Sequence, residues 1–247
     1  MSGKPTADRR TLLKLAGFGV GMAAAPFAEA QETHAGHDMP AQGTSGAPPA
    51  GAAPSPGYIF LNPDEAAFVE AFVDTLIPQD EFTARGTELG VALFVDRQLY
   101  SAWGNGERMY LQGPFREGTP EQGYQLRLTP NQLVRAGIAD VNDHVRATHG
   151  GSTFDMLEEA DRIKLVSALE QAAIDLPTVP TRNFFNTLFQ LVMDGFFADP
   201  IYGGNRGKAS WKLLGYPGVG EMYADKIAEW RNRPYRVAEP QSIQDLT

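Results

Sequence analysis

The chain has 247 residues, with 30 acidic against 21 basic side chains and a formal net charge of −9. It has no cysteine, which excludes disulfides, thiolate metal sites, iron–sulfur clusters, a cysteine nucleophile and thioether-linked haem. The acidity argues against a nucleic-acid partner, and the length suits one domain or two small ones, with enough chain to bury a sizeable core.

Residues 1–30 read as a signal peptide. Lys4, Arg9, Arg10 and Lys14 form a basic head, Leu15 to Ala25 is uncharged, and Ala28-Glu29-Ala30 supplies a small-x-small cleavage pattern. The uncharged run is shorter than the roughly 20 apolar residues a membrane span needs. Asp8-Arg9-Arg10-Thr11-Leu12-Leu13-Lys14 resembles the bacterial twin-arginine signal, which exports folded proteins. The competing reading is a Sec signal with a chance arginine pair; Leu12, Leu13 and Lys14 favour the twin-arginine one. The expected destination is the periplasm, and removing the leader leaves a net charge of −11.

Residues 31–57 are expected to form a disordered linker, because Gly, Pro and Ala make up 16 of the 27 and offer little apolar area to bury. His34, His37 and Met39 lie in this stretch, and such a tract binds copper or zinc weakly at best.

From residue 58 to 247 the pattern predicts a single helical domain with long irregular loops, mainly α in class. Asn62-Pro63-Asp64-Glu65 is a start signal, with a capping residue, a proline at the first helical position and a capping-box acid. Phe68, Val69, Phe72, Val73 and Leu76 then share one helical face, and Pro78 ends the helix. A second helix is expected over about 88–100. Residues 101–128 are rich in Gly and Pro, with Tyr124, Leu126 and Leu128 alternating as in a short extended piece; so long an irregular stretch often marks a binding surface. Thr129-Pro130-Asn131-Gln132 opens a third helix, with Leu133, Ile138, Val141 and Val145 inward. A fourth is expected over about 152–173. Thr181 is read as the cap of a fifth, whose run from Phe184 to Met193 is apolar on most sides and marks it as the central helix.

Catalytic signatures are missing. The stretch from Tyr202 to Ala209 only loosely mimics a phosphate loop, since Tyr202 replaces the first glycine and Ala209 the magnesium-binding hydroxyl. No dinucleotide fingerprint, nucleophile elbow or calcium loop is present. Asp140 and His144, four apart on a helix, read as a surface pair. Phe184, Phe185, Phe189, Phe196 and Phe197 lie within fourteen residues, enough to fill a core and leave part of a face for another protein. Asp199, Asn205 and Arg206 offer an acceptor, an amide and a cation within eight residues, beside Gly203-Gly204, where backbone can approach a partner closely.

The segment Gly195-Phe196-Phe197-Ala198-Asp199-Pro200-Ile201-Tyr202-Gly203-Gly204-Asn205-Arg206 continues to Trp211 and Gly215-Tyr216-Pro217-Gly218. With Leu76-Ile77-Pro78, Asp80, Gly90-Val91, Phe94-Val95-Asp96 and Leu128-Thr129-Pro130, it resembles subunit 3 of gluconate 2-dehydrogenase over nearly all of 58–247. The resemblance implies a non-catalytic small subunit of a periplasmic sugar or polyol dehydrogenase complex. FAD would sit in a large glucose–methanol–choline-type partner, haem c in a multihaem cytochrome subunit where one exists, and the twin-arginine translocase would export the assembly through Arg9 and Arg10. No catalytic, cofactor-binding or metal-ligating residue is expected in this chain. Asp199, Tyr202, Gly203, Gly204, Asn205, Arg206 and Trp211 are the candidate partner-binding residues. The linker is a departure from the family, and its His/Met tract leaves open a free-standing periplasmic binding or metal-handling protein. A weaker alternative is an independent enzyme built on Asp199, Asn205 and Arg206. The substrate of the complex is not legible, because the partner would hold the pocket.

Overall fold

The computed structural model describes residues 57–116 and 118–246. The predicted signal peptide, with Arg9 and Arg10, and the linker with His34, His37 and Met39 lie outside the described residues. Within them are seven α-helices and no β-strand: α1 (Pro63–Leu76), α2 (Val91–Tyr100), α3 (Pro130–Thr148), α4 (Glu159–Glu170), α5 (Thr181–Phe197), α6 (Ala209–Leu214) and α7 (Ile227–Trp230). None of these helices is long and apolar enough to cross a membrane.

The local signals act as read. Asn62 accepts from the Glu65 amide at 2.9 Å, and the Glu65 carboxylate accepts from the Asn62 amide at 3.0 Å, closing a capping box on α1. Phe68, Val69, Phe72 and Val73 are fully buried on its inner face. Thr129 donates its amide to the Gln132 side chain at 3.1 Å where α3 begins. Helix α5 is central: it packs against α2, α3, α4 and α6 and buries Phe184, Phe185, Leu188, Leu191, Val192 and Phe196. Phe68 and Phe154 meet at 4.7 Å between ring centroids, and Phe72 meets Phe185 edge-on at 6.3 Å, so aromatic rings from three parts of the chain fill the core. Gly137 on α3 lets α5 approach this closely, since a Cβ there would stand 2.1 Å from the Phe184 ring.

The structure departs from four sequence-based expectations. The helix expected over 152–173 is two pieces, a 3₁₀ turn Phe154–Met156 and α4, separated by extended backbone at Leu157 and Glu158. The Phe154 amide donates to Asn142 Oδ1 at 3.0 Å, a bond to α3 that holds the turn apart from the helix. Thr181 does not cap α5; Pro180 holds the cap position, and the buried Thr181 hydroxyl donates to Ile174 O and accepts from the Leu176 amide. Asp140 does not pair with His144: it is buried and accepts from the Thr178 amide and hydroxyl, both at 2.8 Å. Tyr124, Leu126 and Leu128 form no strand but lie half-buried against the core, with the Tyr124 hydroxyl donating to Leu128 O at 2.6 Å.

The least expected element is a strap over residues 57–61. Asp96 on α2 has no exposed side-chain surface, and its carboxylate accepts from the amides of Ile59, Phe60 and Leu61, each at 2.9 Å. Arg135 on α3 bonds Glu65 at 2.6 Å and Phe60 O at 3.0 Å, and its guanidinium lies 4.3 Å from the centre of the Phe60 ring. One buried carboxylate and one arginine thereby pin the start of the domain across α1, α2 and α3.

Candidate functional site

Where α5 ends, the chain makes a run of tight turns. Asp199 caps a 3₁₀ turn, Pro200–Tyr202, accepting from the Ile201 amide at 3.0 Å. Gly203, Asn205, Gly207 and Lys208 then all adopt left-handed backbone, with φ of 100, 47, 66 and 57°. For Asn205 and Lys208 this conformation costs about 1 kcal/mol or more each, so surrounding contacts must hold it. Asn205 supplies them: fully buried, it donates to Ala198 O at 2.9 Å and accepts from the Ser210 amide at 3.0 Å, tying the end of α5 to the start of α6. Asparagine is among the residues best suited to left-handed backbone, so one side chain meets both the torsional and the bonding requirement.

The neighbours lock the turn from either side. Gly204 is buried, and a Cβ on it would lie 2.1 Å from Gly195 O. Trp211 is buried and donates its indole N–H to Phe197 O at 2.8 Å. The Arg206 amide donates to Leu89 O at 3.0 Å, docking the turn on the start of α2. At Gly90 a Cβ would meet Gly203 O at 2.3 Å, which explains the glycine before Val91.

The C-terminal segment folds back onto the same turn. Gly218 bridges to Gln241, and the Ile243 amide donates to Asp199 Oδ2 at 2.8 Å. Lys208 donates to Pro240 O at 2.8 Å and pairs with Asp245. The Lys208 hydrogen bond, followed by those from the Ser242 amide and hydroxyl, pulls the Asp245 carboxyl from its ordinary 3.8 down to about 2. A carboxyl lowered on folding stabilises above its unfolded pKa and loses that contribution as pH falls through the folded one. The Ser242 amide is therefore expected to follow an NMR titration with its midpoint near pH 2, and a midpoint near 3.8 would show the latch to be open.

The sequence-predicted residues divide by exposure. Gly204, Asn205 and Trp211 are buried, and the side chains of Asn205 and Trp211 are bonded within the chain. Asp199 and Gly203 are half-buried, while Tyr202 and Arg206 are exposed. Asp199 and Asn205 are both engaged by backbone groups, so Asp199, Asn205 and Arg206 do not form a free acid–amide–cation trio. No group of three His, Cys, Asp or Glu side chains able to hold a metal ion occurs among the described residues.

The turn presents apolar surface instead. Phe197, Ile201, Tyr202, Leu213, Leu214 and Tyr216 are all exposed, Leu214 by 64% and Tyr202 by 56%, too much for core side chains. Phe197 and Asp199 form a ridge between two grooves of about 570 and 520 Å³. One is walled by Phe94, Met193 and Tyr202 together with the polar Gln98, Gln190 and Asp194, the other by Trp211, Leu214, Tyr216 and Ile243. Isolated exposed apolar side chains are ordinary, and a group of them on one rigid turn is less so.

The sequence reading gave Asp96 no role beyond its place in the resemblance and missed the Lys208–Asp245 latch. A signal for Asp96 existed, since it falls among Ala92, Val95 and Leu99 on the buried stripe of α2. The latch joins residues 37 apart, and no local pattern marks it.

Comparison with known proteins yields one match. The family model for gluconate 2-dehydrogenase subunit 3 matches residues 63–218, from the start of α1 to the glycine that bridges to the C-terminal segment. No curated protein and no solved structure matches the chain. The match spans well over half of the sequence and contains the whole turn region from Gly195 to Gly218, and so the chain belongs to the gluconate 2-dehydrogenase subunit 3 family.

Proposed function

We propose that this chain is the non-catalytic small subunit of a periplasmic, flavin-dependent sugar or polyol dehydrogenase complex. It docks on the FAD-bearing large subunit through the apolar ridge and grooves after α5, and its Arg9-Arg10 leader carries the assembly through the twin-arginine route. The observation behind this reading is the division of labour in the turn: Asn205 and Trp211 are spent on internal bonds, while Phe197, Tyr202, Leu214 and Tyr216 stand exposed. A rigid turn presenting aromatic and aliphatic anchors suits a partner's surface better than a small polar substrate.

The test is an affinity pull-down of the tagged chain from the periplasmic fraction of its native cells, with an absorbance scan of the eluate. Flavin bands are expected, with haem bands where a cytochrome subunit is present. A colourless single chain would overturn the complex, and absence of the chain from that fraction would overturn the location. Tyr202→Asp with Leu214→Asp is expected to reduce recovered flavin about tenfold or more, as loss of interface anchors does. The melting temperature should stay unchanged, because both side chains are mostly exposed.

A further inference from the structure

Between Val219 and Glu239 the chain makes an excursion that adds no described side chain to the hydrophobic core. It begins just past Gly218, where the family match ends. A 3₁₀ turn, Gly220–Lys226, leads into the single turn of α7, and the chain returns through 231–238. The excursion packs on itself. Tyr235 meets Tyr223 edge-on at 5.5 Å between ring centroids and Trp230 at 5.2 Å, and the Arg233 guanidinium lies 5.6 Å from the centre of the Trp230 ring. The Tyr223 hydroxyl donates to Pro217 O at 2.5 Å, tying this small cluster to the base of the arm.

Both ends of the arm are clamped to the turn that presents the ridge. Gly218 and Gln241 form a parallel bridge, in which the Val219 amide donates to Gln241 O at 2.9 Å and the Gln241 amide to Pro217 O at 3.0 Å. A Cβ on Gly218 would stand 1.9 Å from Gln241 O, so glycine is what allows the two backbones to meet. Lys212 on α6 pairs with Glu239 at 2.9 Å, and Lys208 donates to Pro240 O. The arm therefore springs from the frame of the docking turn. Gly218 and Val219 at its start, and Ile243 just past its end, also line the groove walled by Trp211, Leu214 and Tyr216. A protein that fills this groove lies against the base of the arm.

Ordering a long segment costs conformational entropy at every residue, and burial of apolar surface normally offsets it. Here the offset within the chain is small: residues 224–229 are all exposed, Ile227 by 64%, and the rings of Tyr223, Trp230 and Tyr235 are only half-buried. Long connecting segments of this kind in compact domains are commonly functional. Tyrosine, tryptophan and arginine, which build this cluster, are also the side chains that most often anchor protein interfaces. Continuity with the groove selects the occupant. We infer that the arm from Val219 to Glu239 is a second contact with the flavin-bearing subunit, extending the docking surface past the ridge onto an apolar patch of that partner that covers Ile227. The inference rests on the docking reading proposed above.

Hydrogen exchange of the full chain, free and in the complex recovered by the pull-down, tests it. Amides of residues 223–230 are expected to exchange at least about tenfold more slowly in the complex. Ala224→Asp with Ile227→Asp, expressed in the native cells, should reduce recovered flavin about fivefold or more. The melting temperature should stay unchanged, because both side chains are exposed. Equal exchange in the free chain and the complex would overturn the arm, as would full flavin recovery by the double variant. A dimer of this chain that the double variant splits, with flavin recovery intact, would overturn it in favour of self-association. In each of these cases the wild type still recovers flavin, so the ridge reading survives; a wild-type chain that recovers none overturns both.

Discussion

Asn205→Ala is expected to destabilise the protein by about 3–5 kcal/mol, from two named sources. The substitution removes the acceptor of the buried Ser210 amide and the donor to Ala198 O, and a buried polar group left unsatisfied costs about 1–3 kcal/mol. It also places alanine at φ 47°, where asparagine is better tolerated, adding roughly 1 kcal/mol. At about 2–4 °C per kcal/mol for a domain of this size, the melting temperature should fall by roughly 6–20 °C. Asn205→Gly separates the two terms, because glycine keeps the backbone conformation and loses only the hydrogen bonds. It should recover about 1 kcal/mol relative to alanine. A drop below about 1 kcal/mol in Asn205→Ala would mean that the turn is held elsewhere, by Gly204 and Trp211 alone. Read beside Tyr202→Asp with Leu214→Asp, the result separates the frame of the turn from its presented surface: the frame variant should lose stability, and the surface variant should lose the partner.

Asp96→Ala is expected to cost about 2–4 kcal/mol. Its carboxylate is the shared acceptor for the amides of Ile59, Phe60 and Leu61. The Leu61 amide lies in the core, the Phe60 amide at its edge, and Ile59 is exposed, so only the first two incur most of the penalty. Hydrogen exchange gives the specific readout: the Phe60 and Leu61 amides should lose protection in Asp96→Ala while those of α5 keep it, relative to the lowered global stability. Asp96→Asn retains one oxygen acceptor and should lie between the wild type and the alanine variant. Equal loss of protection throughout the core would make Asp96 a general packing residue and not the anchor of the strap.

The elements of the fold were legible because their signals are local. A capping box, a proline at a first helical position and an apolar face at helical spacing all act within a few residues, and they set the starts of α1 and α3 and the centrality of α5. Thr181 failed as a cap because its hydroxyl was claimed by Ile174 O and the Leu176 amide, a competition that spacing alone does not rank. Asp140 failed as a surface pair because Thr178, 38 residues away, reaches it with two hydrogen bonds and takes it out of solvent.

The same boundary runs through the candidate site. The sequence by itself determined that the chain is mainly helical, that the run from Gly195 to Gly218 is its most distinctive feature, and which family carries that run. Helical periodicity and a long linear motif are properties of neighbouring residues, so one dimension suffices for them. Which members of the motif are buried and which stand exposed was decided only by the tertiary structure. Asn205 and Tyr202 are three residues apart, yet the polar asparagine is enclosed between α5 and α6 and the aromatic tyrosine stands exposed.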